Sequence, residues 1–248
     1  MIDIKVISLE STPERLEAFR KQNSHLNYSI FPAIDGTLIS DADRKKFIDT
    51  SYSYRSGALG NALSHQTLWN EVISKGEPLT ICEDDAIFHK NFDILSGKVL
   101  SLLNYDWDIC LWGWNFDSIL FCNLPQGLSN CSMTFDQNAL RKNFSNYIAS
   151  DITPYPLKLL QCFGTICYSI SLKGARNFLA QTQPIKRMNV SFPALNKELE
   201  NIALDISMNA FYAKNESFAS FPPLVVTKNN VEISTVQQAK PKQIRLYT

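Results

Sequence analysis

Little in this chain points to nucleic acid, zinc or a membrane span. Lys plus Arg and Asp plus Glu each number 24, so the formal net charge is zero. A protein that binds nucleic acid through bulk positive charge needs an excess of the first pair. Histidine is scarce, with His25, His65 and His89 alone, which makes a His-rich zinc site improbable. The six cysteines, Cys82, Cys110, Cys122, Cys131, Cys162 and Cys167, fall mostly in apolar segments without close metal-type spacing. They read as free buried thiols of a cytoplasmic protein. No apolar run approaches the ~20 residues of a membrane-spanning helix. Met1-Ile2-Asp3-Ile4-Lys5-Val6 lacks the basic-then-apolar shape of a signal peptide and reads as a first strand. A glycine-rich phosphate loop is also missing, which sets aside dinucleotide and Walker-type nucleotide sites.

What remains is a chain of 248 residues, long enough for one large α/β domain with a real core. Lys5 to Leu9 has strand composition. Thr12, Pro13 and Glu14 then read as a helix start: a capping hydroxyl, a proline suited to the first turn and a charge that complements the dipole. Leu16 and Phe19 give that helix a buried stripe. Arg15, one turn in, is within reach of a phosphate or is an ordinary surface arginine. Tyr28 to Ile34 reads as a second strand closed by Asp35-Gly36. Strand, helix, strand is the parallel unit of an α/β sheet.

Further on, Gly57, Ala58, Gly60 and Ala62 open an amphipathic helix through Trp69 to Ile73, with His65 alone on it. A packed, hydrogen-bonded role suits that histidine best. Trp107 to Trp114 reads as a buried strand whose tryptophans form either core or a stacking platform. The stretch 115–154 has few periodic segments and reads as an inserted, partly helical lobe. Leu159 to Ser171 reads as a strand region with Gly164 inside it, a position that often marks close approach by a ligand or backbone. Ser171 caps the next helix. Ser220 to Val226 reads as a late edge strand entered through its prolines. The tail 228–248 is polar and reads first as a solvated, loosely ordered terminus, with contact of Lys240, Lys242 and Arg245 to anionic lipid as the alternative.

The most informative stretch is Glu83-Asp84-Asp85, which ends the β-prone run Pro78 to Cys82. Strand alternation places Glu83 and Asp85 on one side and Asp84 on the other. Three carboxylates together need a compensating positive charge. A divalent cation bridging to a diphosphate is one occupant; the competing reading is an acidic turn with exposed side chains.

Taken in order, these pieces resemble glycosyltransferase family 25, the bacterial lipopolysaccharide and lipooligosaccharide enzymes. The matching segments are Val6-Ile7-Ser8-Leu9 with Arg15, Phe31 to Gly36, Gly57 to Gly60 running into Ala62 to His65, and Trp69. Glu83 to Ala86, Gly164-Thr165 with Tyr168 to Ser171 and Gly174-Ala175, and Leu204-Asp205 with Met208 complete the set. The resemblance implies a GT-A-like nucleotide-sugar-binding fold with a mostly parallel central sheet flanked by helices. It implies one such domain over 1–227, with an acceptor-side insertion near 115–154. It further implies an inverting transfer of a hexose, usually galactose from UDP-galactose, to an outer-core sugar of a lipooligosaccharide acceptor. UDP-glucose and a non-catalytic sugar-binding role are the alternatives. Ser8, Leu9, Arg15, Asp35, Gly36, Glu83, Asp84 and Gly164 are the implied donor-site residues. Glu83 and Asp85 would hold Mn²⁺ or Mg²⁺, and Asp205 would be the catalytic base, with Asp151 in reserve. No histidine follows His89 to complete a metal shell. The implied location is the cytoplasm, peripheral to the membrane at most.

Overall fold

The computed structural model describes residues 2–49, 54–103 and 106–229. β1 (Asp3–Ser8) buries Ile4, Val6 and Ile7. α1 (Pro13–Gln22) starts at Pro13, with Glu14 in its first turn and Arg20 and Lys21 in its last, as the helix dipole favours. Thr12 does not cap it: its backbone is not extended, and its hydroxyl lies 3.4 Å from the Leu9 carbonyl. β2 (Ser29–Pro32) pairs in parallel with β1. α2 (Asp41–Phe47) is capped by the Ser40 hydroxyl, which accepts from the Asp43 N–H. α3 (Ser56–Lys75) is largely buried and stops at Gly76, whose φ of 76° is left-handed. β3 (Leu79–Glu83) and β4 (Ala86–Phe88) follow, separated only by Asp84-Asp85.

α4 (Phe92–Ser101) leads to β5 (Ile109–Gly113). The stretch expected to be an inserted, partly helical lobe contributes two strands to the main sheet and one helix. β6 (Ile119–Asn123) pairs with β7 (Asn130–Thr134) and with a later strand, and α5 (Gln137–Ile148) follows. Both strands are only five residues long, and β7 has no buried residue, so its alternation is weak in the sequence. β8 (Tyr155–Cys162) and β9 (Cys167–Ile170) replace the single strand expected around Gly164. That glycine has φ +92°, so it makes the turn between them. α6 (Leu172–Thr182) is capped by Ser171, as expected. β10 (Asn189–Phe192) and β11 (Lys197–Glu200) form a separate hairpin, followed by α7 (Leu204–Asn209). The expected late edge strand is two strands. β12 (Ser217–Phe221) lies inside the main sheet, and β13 (Val225–Thr227) pairs with β4. Pro222 and Pro223 sit between them, where no ladder N–H is needed. The lipid-facing role considered for Lys240, Lys242 and Arg245 falls outside the described residues.

Among the described residues, nine strands form one sheet in the order β2-β1-β3-β9-β5-β12-β8-β6-β7. From the pairings, β2, β1, β3, β5, β12 and β6 run one way, while β9, β8 and β7 run against them. The sheet is thus mixed, with most strands sharing one direction, as suits a GT-A-like α/β fold. Successive strand residues serve opposite faces. Ile81, Ile109 and Leu111 join α3 and α6 through Leu68, Trp69 and Phe178. Cys82, Cys110 and Trp112 join α1 and α4 through Phe19, Phe92 and Leu95. Trp112 and Trp114 are fully buried, so they are core and not a platform. All six cysteines are free thiols. Among the described residues no helix is long and apolar enough to cross a membrane.

Asn23 ties α1 to the acidic turn's far side. It is fully buried; its amide donates to the carbonyls of Phe19 (3.1 Å) and Ala86 (2.9 Å), and its Oδ1 accepts from the Phe88 N–H (2.9 Å). Asn23→Ala leaves buried backbone groups unpaired, and each such loss costs ~1–3 kcal/mol. Urea unfolding is expected to show a loss of at least ~2 kcal/mol.

Candidate active site

Most strands of an open α/β sheet present ligands at their carboxyl ends, and the principal cavity lies there. It has a volume of about 970 Å³ and opens against the ends of β1 and β3, the loop after β2, the first turn of α3 and the start of α7. Leu9, Arg15, Asp35, Gly36, Glu83, Asp84, Asp85, Gly164 and Asp205 all line it. Ser8 stands behind: it is buried and donates its hydroxyl to Asp84 Oδ2 at 2.8 Å. Strand alternation fails at the acidic turn. β3 ends at Glu83 and β4 begins at Ala86, so the connecting pair is not pleated and all three carboxylates reach the cavity wall.

Each of the three has its own partners. Asp84 accepts from Arg15 Nε at 2.7 Å, so Arg15 is not a surface arginine but the counter-charge that the cluster required. Burial opposes the Arg15 charge, and Asp84, Asp85 and Glu83 outweigh it, raising its pKa. Glu83 Oε1 accepts from Thr165 Oγ1 at 2.6 Å and Asn61 Nδ2 at 3.3 Å, with His65 Nε2 3.6 Å away. Burial would raise the Glu83 carboxyl, but the His65 ring, the Thr165 hydroxyl and Arg15 hold it well below its ordinary value. Asp85 moves the other way, up to about 6, through burial first and then the charges of Glu83 and Asp84. Its Oδ2 accepts from Thr227 Oγ1 at 3.1 Å, and its buried Oδ1 has no hydrogen-bond partner among the described residues.

Asp205 lies apart from this turn, in the first turn of α7. Its carboxylate accepts from the N–H groups of Gly164 (3.0 Å) and Ile206 (2.9 Å). Burial, against those two donors, raises its pKa, and the charge of Glu83 adds to the rise. Asp151 is not among the cavity residues; its side chain is 98% exposed and 3.8 Å from Lys90, so it drops out as a reserve base. Asp35 accepts from the N–H and hydroxyl of Thr37, which shapes the loop at the cavity edge. Gly164 approaches Asn115: an added Cβ would lie 2.7 Å from its Oδ1. Its close neighbour is therefore a side chain of the chain itself.

Several lining residues escaped the sequence reading. Arg55 and Ser56 begin α3, whose start no side chain caps. Asn61 and Thr165 hold Glu83, and Thr227 holds Asp85 from 142 residues away. Asn61 and His65 are four apart and so share a helix face, which was a readable signal. The contact from Thr227 left none.

The family profile described as "Glycosyltransferase family 25 (LPS biosynthesis protein)" matches residues 1–194. The chain belongs to glycosyltransferase family 25. Among curated family 25 proteins, "Probable inactive glycosyltransferase 25 family member 3" of Bos taurus is 24% identical over 205 residues, covering 75% of this chain and 30% of that protein. "Inactive glycosyltransferase 25 family member 3" of Homo sapiens is 25% identical over 205 residues, with 75% and 30% covered. The chain thus spans under a third of the length of the curated relatives it matches. A solved structure, "Crystal Structure of A197 from STIV", aligns over 88% of this chain and 81% of its own at 13% identity and a TM-score of 0.38.

For a family 25 chain the acidic turn raises the question of a cation. No three His, Cys, Asp or Glu side chains converge as a preformed ligand set among the described residues. The unpartnered Asp85 Oδ1 and the raised Asp85 pKa nevertheless describe a carboxylate short of positive charge. Hard divalent cations take such oxygens, so Glu83 and Asp85 fit one whose other ligands come from substrate or water.

The same shortage has a stability consequence. Between the ordinary 3.8 and about 6, the folded chain holds a proton on Asp85 that the unfolded chain has released. The Asp85 contribution to stability therefore falls as pH rises through that window. Without divalent cation near neutral pH, Asp85→Asn is expected to raise stability by ~1–2 kcal/mol, with the gain vanishing toward acid pH. Thermal melts across pH measure this.

Proposed function

We propose that this chain is a metal-dependent, inverting glycosyltransferase that moves a hexose, galactose from UDP-galactose foremost, onto an outer-core sugar of a lipooligosaccharide or lipopolysaccharide. UDP-glucose is the alternative donor. The observation that carries this reading is one cavity holding two separate acidic functions: the Glu83-Asp84-Asp85 turn backed by Arg15, and the buried Asp205. Leu9 and Arg15 would lie along the nucleotide, and Asp35-Gly36 by the uridine or ribose. The uncapped first turn of α3 and Arg55 add positive potential for the diphosphate.

Glu83 and Asp85 would hold Mn²⁺ or Mg²⁺, which when bound neutralises charge on the departing UDP. Asp205 then takes the proton of the acceptor hydroxyl. A base in this role works best with a pKa near the operating pH, and burial moves Asp205 in that direction. Inversion requires it to act on the sugar face opposite the leaving group. Phe163, Ile202 and Ile206 line the cavity with Asp205 and offer apolar surface for the acceptor ring. Donor and lipid-linked acceptor meet at the inner face of the cytoplasmic membrane, which is where a cytoplasmic or peripheral enzyme would act.

A second reading, a non-catalytic sugar-binding protein, is favoured by the word "inactive" in the relatives' names. The test is UDP release from a panel of UDP-sugars with Mn²⁺, with truncated lipooligosaccharide as acceptor, on the wild type and Asp85→Ala. Thermal shift with UDP accompanies it. UDP is expected to stabilise the chain when Mn²⁺ is present, and one donor to turn over in the wild type alone. Binding without turnover of any donor would point to a missing acceptor, and the non-catalytic reading would follow only if further acceptors also gave none. Absence of UDP binding would remove the nucleotide-sugar reading of the cavity.

A further inference from the structure

Behind Glu83 runs a buried polar chain that no part of the proposed chemistry uses. Trp69, His65 and Tyr168 are each at most 1% exposed, and none of them lines the cavity. Trp69 Nε1 lies 2.8 Å from Tyr168 Oη, and Tyr168 Oη lies 2.8 Å from His65 Nδ1. The imidazole stacks on the phenol ring at 5.6 Å. His65 Nε2 is buried, has no hydrogen-bond partner among the described residues, and lies 3.6 Å from Glu83 Oε1.

The donor inventory sets the direction of this chain. An indole nitrogen only donates, so the Tyr168 oxygen accepts from Trp69. The phenol's single hydrogen then has His65 Nδ1 as its acceptor. Were Nδ1 protonated, the Tyr168 hydrogen would be left in the core without an acceptor, which buried hydroxyls avoid. A neutral imidazole whose Nδ1 accepts carries its proton on Nε2. At 3.6 Å the contact with Glu83 is longer than a hydrogen bond, yet it is directed at the oxygen that Thr165 and Asn61 also hold. Among the described residues, Glu83 Oε2 has no hydrogen-bond partner.

We propose that His65 is a positioning residue: Trp69 and Tyr168 lock its Nε2–H tautomer, and that N–H faces and orients Glu83 Oε1 so that Oε2 is the oxygen offered to the cation. The inference rests on the nucleotide-sugar reading of the cavity for its purpose, but not for its geometry.

Two measurements test it. The first is two-bond ¹H–¹⁵N correlation on the histidine rings of the full chain, with His65 assigned by loss of its signals in His65→Gln. A protonated Nε2 with a bare Nδ1 is expected; an Nδ1–H or doubly protonated ring overturns the proposal. The second is the calorimetric affinity for UDP with Mn²⁺ in Tyr168→Phe, measured well below its melting temperature. Groups that orient metal ligands typically change affinity by ~10–100-fold when removed, so a loss of at least ~10-fold is expected. A purely structural role would lower the melting temperature and leave affinity alone, and that result overturns the proposal. Trp69→Phe serves where Tyr168→Phe does not fold. Failure of the wild type to bind UDP would count against the cavity reading, and the tautomer would then decide the present inference alone.

Discussion

Asp205→Asn is expected to lower turnover by ~10²–10⁴-fold, the usual contribution of a positioned base, while Mn²⁺-dependent UDP binding survives. The substitution keeps the shape of the side chain and removes its ability to take a proton. It also exchanges one acceptor oxygen for a donor, so one of the N–H groups of Gly164 and Ile206 loses its partner. That costs ~1–3 kcal/mol of stability, and kcat should be compared at a temperature where both proteins are folded. UDP affinity is the control, because Asp205 lies on α7, apart from Arg15 and the acidic turn, where the diphosphate is proposed to bind. Near-wild-type kcat would eliminate Asp205 as the base, and with Asp151 facing solvent the proton would need a different acceptor.

The largest stability effect is expected at Gly36. A Cβ there would lie 1.8 Å from the Ser56 carbonyl oxygen and 2.8 Å from the Gly60 nitrogen. Gly60 is the reciprocal position, with its added Cβ 2.3 Å from the Ile34 oxygen. These are backbone atoms, so neither clash can be relieved by turning a side chain. Gly36→Ala must push the loop after β2 away from α3, and a loss of ~3 kcal/mol or more is expected by urea unfolding. The same movement displaces Asp35 and the α3 start, so KM for the donor should rise as well. Gly97→Ala is the control. It lies within α4 with nothing within 4 Å of its added Cβ, and helix propensity predicts a gain of ~0.5–1 kcal/mol.

The opening strand, helix and strand and the acidic turn were legible because each is local. β1 and α1 are marked by Pro13 and Glu14, α3 by its small-residue start, and α6 by Ser171. Partnership was less legible. Arg15 looks like any surface arginine until Asp84, 69 positions later, is seen to hold it. The pleat rule misplaced Asp84 because it assumes that the strand continues, whereas β3 stops at Glu83. Gly164 looked like a strand interior because apolar residues flank it on both sides; its positive φ is a backbone property that composition does not carry. The 115–154 stretch misled for a related reason. An edge strand with no buried residue has little hydrophobic contrast, so β7 resembles loop, and β6 is a run of only five residues.

The position of β12 governs how the molecule is born. It pairs with β5 on one side and β8 on the other. Without it the sheet falls into two pieces, β2-β1-β3-β9-β5 and β8-β6-β7. Synthesis proceeds from the N-terminus, and domains complete folding only when all their strands have emerged. A ribosome that stalls before Ser217 therefore exposes a nascent chain with two half-sheets, each with an open inner edge of the kind that recruits other chains. The strand that joins them is the last of that sheet to be made, and β13, which brings Thr227 to Asp85, arrives later still. The acidic turn is thus finished only after the scaffold has closed, so a prematurely terminated chain is an aggregation hazard before it is merely a chain with an incomplete site.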